Sequence, residues 1–432
     1  MKKSLLFLSA FAIAAYSCQP KIESIINVEE VSRIEKTLSS DDMEGRMIFT
    51  PGLEKAANFI AAEFEKAGLP YLEGSDSYFQ SFITIQAVPE QITGTLDSEQ
   101  LNLENVIVNS TSETLNLQSF EGYEVISLEK DDIFNQSIFP LLREKKNLLV
   151  LIDPSHADNF PRLARSSSRA KFPTEFSQIF ILTSNLDPSS IQLEVKNTVK
   201  KEELKNVVGM IPGKSKKDEY VVFGGHYDHI GIRNTGSDQD SIFNGANDNA
   251  AGTTAVIMLA KYFQELNNNE RSLIFVAFTA EESGGFGSTY FSEQLDPDQV
   301  VAMFNIEMIG TESKWGTNSA YITGYEKSSM GEILQKNLSG SKFHFEPDPY
   351  PQQNLFYRSD NRTLAALGVP AHTISTAKME EAPNDEPNYH KASDEFETLD
   401  MVNMTEIIKS IAISSQSIIS GKDTPTRVER ID

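Results

Sequence analysis

One cysteine in 432 residues rules out an intrachain disulfide, and with it thiolate metal ligands in any number and a buried cysteine nucleophile. Basic residues are also scarce. Lys and Arg number 38 against 62 Asp and Glu, a formal net charge of −24. Phosphate backbones are bound by concentrated Lys and Arg, so this balance excludes a nucleic-acid partner. An acidic surface otherwise speaks to solubility rather than to substrate. The apolar run from Leu5 to Ala15 is too short to cross a bilayer, which takes roughly 20 apolar residues. What is present is an ordinary globular composition, 39% hydrophobic and 23% charged, in a chain long enough for two or three domain-sized units.

Lys2 and Lys3 ahead of that run give residues 1–17 the layout of an export signal. Cys18 follows Ala15-Tyr16-Ser17, which resembles the lipobox of bacterial lipoproteins, with a Tyr at an unusual place. The resemblance implies lipidation at Cys18 and a chain tethered in the bacterial cell envelope, touching the membrane only through that anchor. The alternative is a plain signal peptide that leaves the chain periplasmic or secreted.

Past a short tether, Val28–Leu38 and 53–69 have helical spacing, separated by a turn-rich loop at 39–52. Residues 89–202 read as an inserted, mostly β domain with strand-forming runs at 105–108, 123–127, 147–152 and 178–182. It interrupts a discontinuous domain of residues 25–88 and 203–420. From about 206, strands and helices alternate, and runs such as LIFVAF (273–278) are apolar on both faces. The fold class is therefore α/β, a mixed and mainly parallel sheet with helices on both faces.

The chemistry-bearing residues fall where predicted strands end or helices begin, the usual place for sites in open α/β sheets. In GGHYDHIG (224–231), His226 offers a neutral ring nitrogen, and Asp228 is suited to accept the other ring N–H. In NGANDNAAG (244–252), Asp248 stands at a helix start, where a carboxylate can serve as a helix cap, a ligand, or both. In AFTAEESGGFGS (277–288), Glu281 and Glu282 point in different directions. One can hold metal while the other takes a proton from an activated water. Glu307 lies within the apolar strand predicted over 300–309, where an unpaired carboxylate is costly and so calls for a cation. His390 sits in the polar loop NYHKASDEF (388–396). Two histidines and three carboxylates suit a pair of divalent cations, with Asp248 able to bridge them. His156, His229, His344 and His372 are read as structural or solvated.

The order H-x-D, G-A-N-D-N, E-E, N-x-E-M-I-G, Y-H-x-x-S-D resembles the zinc exopeptidase family that includes aminopeptidases Y and S, glutamate carboxypeptidase and glutaminyl cyclase. Residues 25–88 and 205–420 carry the resemblance. It implies a phosphorylase/hydrolase-like fold and two zinc ions, one held by His226 and Glu307, the other by Glu282 and His390, with Asp248 between. Glu281 becomes the proton shuttle, peptides the substrates, and the insert a protease-associated-like domain. Two positions depart from the family: Glu307 where the aminopeptidases mostly have Asp, and Asn361 where His is frequent. Tyr357 and Ser359 in FYRSDN are candidates for substrate binding. An aminopeptidase is the leading reading. A carboxypeptidase or a glutaminyl cyclase on the same fold stays open, as does a non-catalytic binding protein.

Overall fold

In a computed structural model, which describes residues 21–234, 240–379 and 387–431, the chain divides into two compact units. One holds the residues up to Gln80 together with those from Lys205 onward, and the other holds Ser81–Leu204. Cys18 and the predicted signal segment lie outside the described residues. No helix among the described residues is long and apolar enough to cross a membrane.

The first unit is an α/β sheet. Four neighbouring strands, Ala371–Ser375, Val300–Ile306, Lys216–His226 and Arg271–Phe278, run parallel in that order. Residues 207–211 pair antiparallel on the Arg271–Phe278 side. Ser319–Ile322 and His344–Pro347 extend the opposite edge, the first of them antiparallel to Ala371–Ser375. The central strands are buried on both faces. Phe223, Phe275 and Phe304 stand side by side on three adjacent strands. Their rings stack with centroids 5.4 and 4.8 Å apart, and Phe263 of the helix Ala251–Leu266 lies 5.5 Å from Phe223. Each such pair contributes about 0.5–1.5 kcal/mol beyond area burial, so this ladder fixes how the helix sits on the sheet. A close approach at the helix start adds to this. A Cβ on Gly252 would fall 2.1 Å from the Ile306 carbonyl oxygen, so only glycine lets the helix come this near.

The predicted strand over 300–309 stops at Ile306. Met308 has φ +50°, a left-handed conformation that no strand continues through, and its N–H donates to the Asn249 side chain. Glu307 therefore lies just beyond the strand rather than inside it. The strand His344–Pro347 was not foreseen, since four residues with one buried position show no clear period.

The second unit is mostly β. Its sheet runs in the order Val106–Asn109, Gln178–Leu182, Leu148–Ile152, Glu124–Leu128, with the last three parallel. Two helices not anticipated from the sequence, Phe134–Arg143 and Phe160–Ser167, supply apolar residues to one of its cores. His156 is buried there rather than solvated, with Nε2 2.8 Å from the Glu129 carbonyl.

In the first unit, the helix Val28–Leu38 buries Val31, Ile34, Glu35 and Leu38. Glu35 is fully buried, and one of its oxygens accepts a 2.8 Å hydrogen bond from Thr254. Burial pushes its carboxyl from the ordinary 4.5 up to about 8, against the pull of the Thr254 hydroxyl and Arg46. The folded protein thus holds a proton that the unfolded chain releases, so this group's contribution to stability falls as pH rises between about 4.5 and 8. Denaturant titrations of wild type and Glu35→Gln should diverge across that window. Wild type should lose ground by at most about 1.4 kcal/mol per pH unit; parallel curves would show that Glu35 is charged throughout.

Candidate metal centre

The carboxyl ends of the parallel strands bring the predicted residues together. His226 ends its strand and pairs in register with Phe278, so the turn carrying Glu281 and Glu282 opens beside it. Glu307 follows the strand on the other side. Asp248 comes from the loop before the helix Ala251–Leu266, and its peptide bond to Asn249 is cis. His390 reaches in from the loop 387–395, with φ +56°.

The ligand atoms of His226, Asp248 and Glu307 lie within 4.8 Å of one another, and so do those of His229, Asp248 and Glu282. Asp248 belongs to both groups. Its two oxygens face different histidines, Oδ1 at 3.3 Å from His226 Nε2 and Oδ2 at 3.2 Å from His390 Nε2. His390 Nε2 is also 3.3 Å from Glu282 Oε1. Asp248 does not cap the helix. That task falls to Asn249, whose side-chain oxygen accepts the Gly252 N–H at 2.9 Å.

Asp228 and Asp394 hold the acid-bearing loops in matching fashion. The Asp228 carboxylate accepts the N–H groups of Glu281 and Glu282 at 3.0 and 3.3 Å. The Asp394 carboxylate accepts those of Asn247 and Asp248 at 2.9 and 3.0 Å. Asp228 also orients His226, but through its main-chain carbonyl, 3.1 Å from Nδ1, rather than through its carboxylate at 3.8 Å. With Nδ1–H donating there, Nε2 is left as the free donor atom toward the centre.

Arg46, fully buried in the loop 39–52, donates to the carbonyls of Tyr227, Leu38, Asn244 and Gly245 at 2.6–2.9 Å. It ties the His226 loop to the Asp248 loop. Sequence reading passed it over, because an arginine among turn formers carries no signal of burial.

The electrostatics call for a cation. Burial pushes Glu307 up to about 7, against the pull of His226, and Asp248 adds repulsion. Burial also raises Glu281 well above the carboxylate range, with Glu307, Asp360 and Glu282 adding to it. Asp360, 2% exposed, is raised to about 6 in the same way. Burial disfavours an ionised Glu282 too, but His229 and His390 outweigh it and hold this carboxyl at about 2. The carboxylates of Asp248, the largest contributor, and Glu282 raise His390 in turn to about 10. Glu307 Oε2, Glu282 Oε1 and His226 Nε2 are buried without a hydrogen-bond partner. Such a set of orphaned oxygens and imidazole nitrogens fits a divalent metal of the zinc type, whose binding displaces the protons that otherwise offset this charge.

Of the remaining candidates, Ser359 accepts a 2.8 Å hydrogen bond from Asn305 and lines a pocket beside Glu307. Tyr357 does not line that pocket. It packs against the core beside Phe356, with the Lys327 ammonium over its ring, because the short turn Leu355–Tyr357 directs it away. His372 is buried between Ser328 and the Thr323 carbonyl, and burial lowers it to about 4. His344 is exposed.

His229 is different from the structural role read for it. It is 2% exposed, and its Nδ1 lies 2.9 Å from Glu282 Oε1. Gly245 presses on its ring: a Cβ there would fall 2.5 Å from the imidazole carbons. The spacing H-x-D-H was the available signal. His229→Ala should weaken zinc binding about tenfold, measured by calorimetric zinc titration of the stripped protein; an unchanged affinity would remove His229 from the centre.

Residues 206–413, the span that contains every candidate ligand, match the model of "Peptidase family M28". Human transferrin receptor protein 2 is 25% identical over 293 residues, covering 62% of this chain and 34% of the receptor. Aminopeptidase YwaD of Bacillus subtilis is 23% identical over 238 residues, 52% of this chain and 47% of that protein. The chain thus spans from about a third to half the length of these relatives. Among solved structures, the aminopeptidase from Aneurinibacillus sp. strain AM-1 aligns over 95% of this chain and 99% of its own with a TM-score of 0.53 at 18% identity, a likeness of fold. Over residues 206–413, just under half of the chain, the similarity is to peptidase family M28.

Proposed function

We propose that the chain is a zinc-dependent exopeptidase, acting mainly as an aminopeptidase, with two metal ions held about a shared Asp248. The observation that carries this reading is the pair of three-residue donor groups with Asp248 common to both. His226 and Glu307 would hold one ion. Glu282 and His390 would hold the other, with His229 beside them. When bound, the ions lower the pKa of a water molecule and polarise the scissile carbonyl.

The chain's own residues do the rest. Asp228 aims His226 through its carbonyl and fixes the Glu281–Glu282 turn through its carboxylate. Glu282 turns toward His229 and His390, which leaves its neighbour free. Glu281, raised by burial among other acids, is poised to take a proton from the attacking water and deliver it to the leaving amine. The substrates are peptides. Glu281→Gln should retain the full zinc content and lose at least about 100-fold in peptide hydrolysis, read by metal analysis alongside a peptide cleavage assay. Substantial activity in that variant would overturn the assignment.

The proposal extends to location. The Lys-flanked apolar run and Cys18 support an exported chain tethered by a lipid in the bacterial cell envelope. Cys18→Ser should shift the protein from the membrane fraction to the soluble one on cell fractionation; an unchanged distribution would refute the anchor.

A further inference from the structure

Beside Glu307 the first unit holds a small pocket of about 50 Å³, room for a group the size of a carboxylate, since one water takes roughly 10–15 Å³ on the same measure. Its walls are largely hydroxyl-bearing, from Tyr321, Thr323, Thr373 and Ser375. Most of these hydroxyls are already engaged. Thr323 accepts from the Thr373 N–H, Thr373 donates to Asn361, and Ser375 donates to the Met308 carbonyl. They make the pocket polar without supplying a free charge.

Arg358 is the one cationic side chain among the described lining residues. It is exposed and forms no ion pair among the described residues, although the chain has a large excess of acids to pair with. Glu307, the one acid among the described lining residues, belongs to a donor group with His226 and Asp248, so a bound divalent ion would offset its charge. Among the described lining residues, the charge then left without a partner is that of the guanidinium. A planar fork of N–H donors beside a polar pocket is the usual complement of a carboxylate.

The geometry points to Arg358 as a specificity residue that makes the pocket beside Glu307 a subsite for a substrate carboxylate. This rests on the exopeptidase reading and names its substrate class. The carboxylate has two possible sources, the side chain of an amino-terminal Glu or Asp, or the free carboxyl terminus of a short peptide.

Zinc-loaded full-length wild type and Arg358→Gln should be compared on two sets of substrates. The first is the 4-nitroanilides of Glu, Gln and Leu, and the second is N-acetylated dipeptides with a free or an amidated terminus. One charge-assisted hydrogen bond corresponds to a selectivity of about tenfold. If the side chain is the source, the ratio of kcat/KM for Glu over Gln falls about tenfold in the variant. If the terminus is the source, the ratio of free over amidated dipeptide falls instead. Either result supports the subsite and says which end of the peptide it reads. If both ratios match in the two proteins, the subsite is overturned while the peptidase reading stands. If neither protein cleaves any substrate, the peptidase reading fails, and thermal unfolding with glutarate against glutaramide decides the subsite. A stabilisation specific to glutarate that Arg358→Gln reduces supports it, and equal stabilisation of the two proteins overturns it.

Discussion

The candidate centre depends on a buried guanidinium. Arg46 spends its N–H groups on main-chain carbonyls drawn from three separate segments. Taking a guanidinium out of water is costly, and carbonyl dipoles alone do not return that cost. Acids placed around it offset part of that cost: Asp394, Asp228 and Asp248 act to keep Arg46 charged. Two of these acids also hold the liganding loops, and a third is the shared ligand. The positive charge that organises the backbone and the negative charge that suits metal are parts of one electrostatic arrangement, built on the ends of parallel strands.

Within it, the two histidine-bearing loops do the same work twice. Each carries an aspartate shortly after its histidine, Asp228 after His226 and Asp394 after His390. Each aspartate accepts two successive main-chain N–H groups from the loop that holds an acidic ligand. An ionised carboxylate accepting N–H groups is among the stronger hydrogen-bonding arrangements available to a protein. No liganding segment is therefore positioned by its own sequence alone.

Much of this was legible beforehand. Strands with long apolar runs, such as Arg271–Phe278, and helices with a regular period, such as Val28–Leu38, stand close to where the sequence put them. Six residues read as metal or proton carriers do converge. What the sequence did not reveal was decided by tertiary placement. Arg46 and Asp360 look like surface residues until the fold buries them, and His229, read as structural, is brought to the centre. Tyr357 and Ser359 sit two apart in one motif, yet a short turn sends one to the core and the other to the pocket. Glu307 was placed inside a strand because its neighbours are apolar, whereas the hydrogen bond from Met308 to Asn249 ends the strand first.

The long reach of these contacts has a consequence for the chain's own biosynthesis. Arg46 bonds to carbonyls 181, 198 and 199 residues away, and Asp394 to amides 146 and 147 residues away. Contacts of this separation form late, because the entropy of closing such loops must be overcome first. A nascent chain therefore carries all the donors without the arrangement that makes them reactive. The centre comes into being only once the sheet is complete, so the proposed peptidase activity waits on the finished fold.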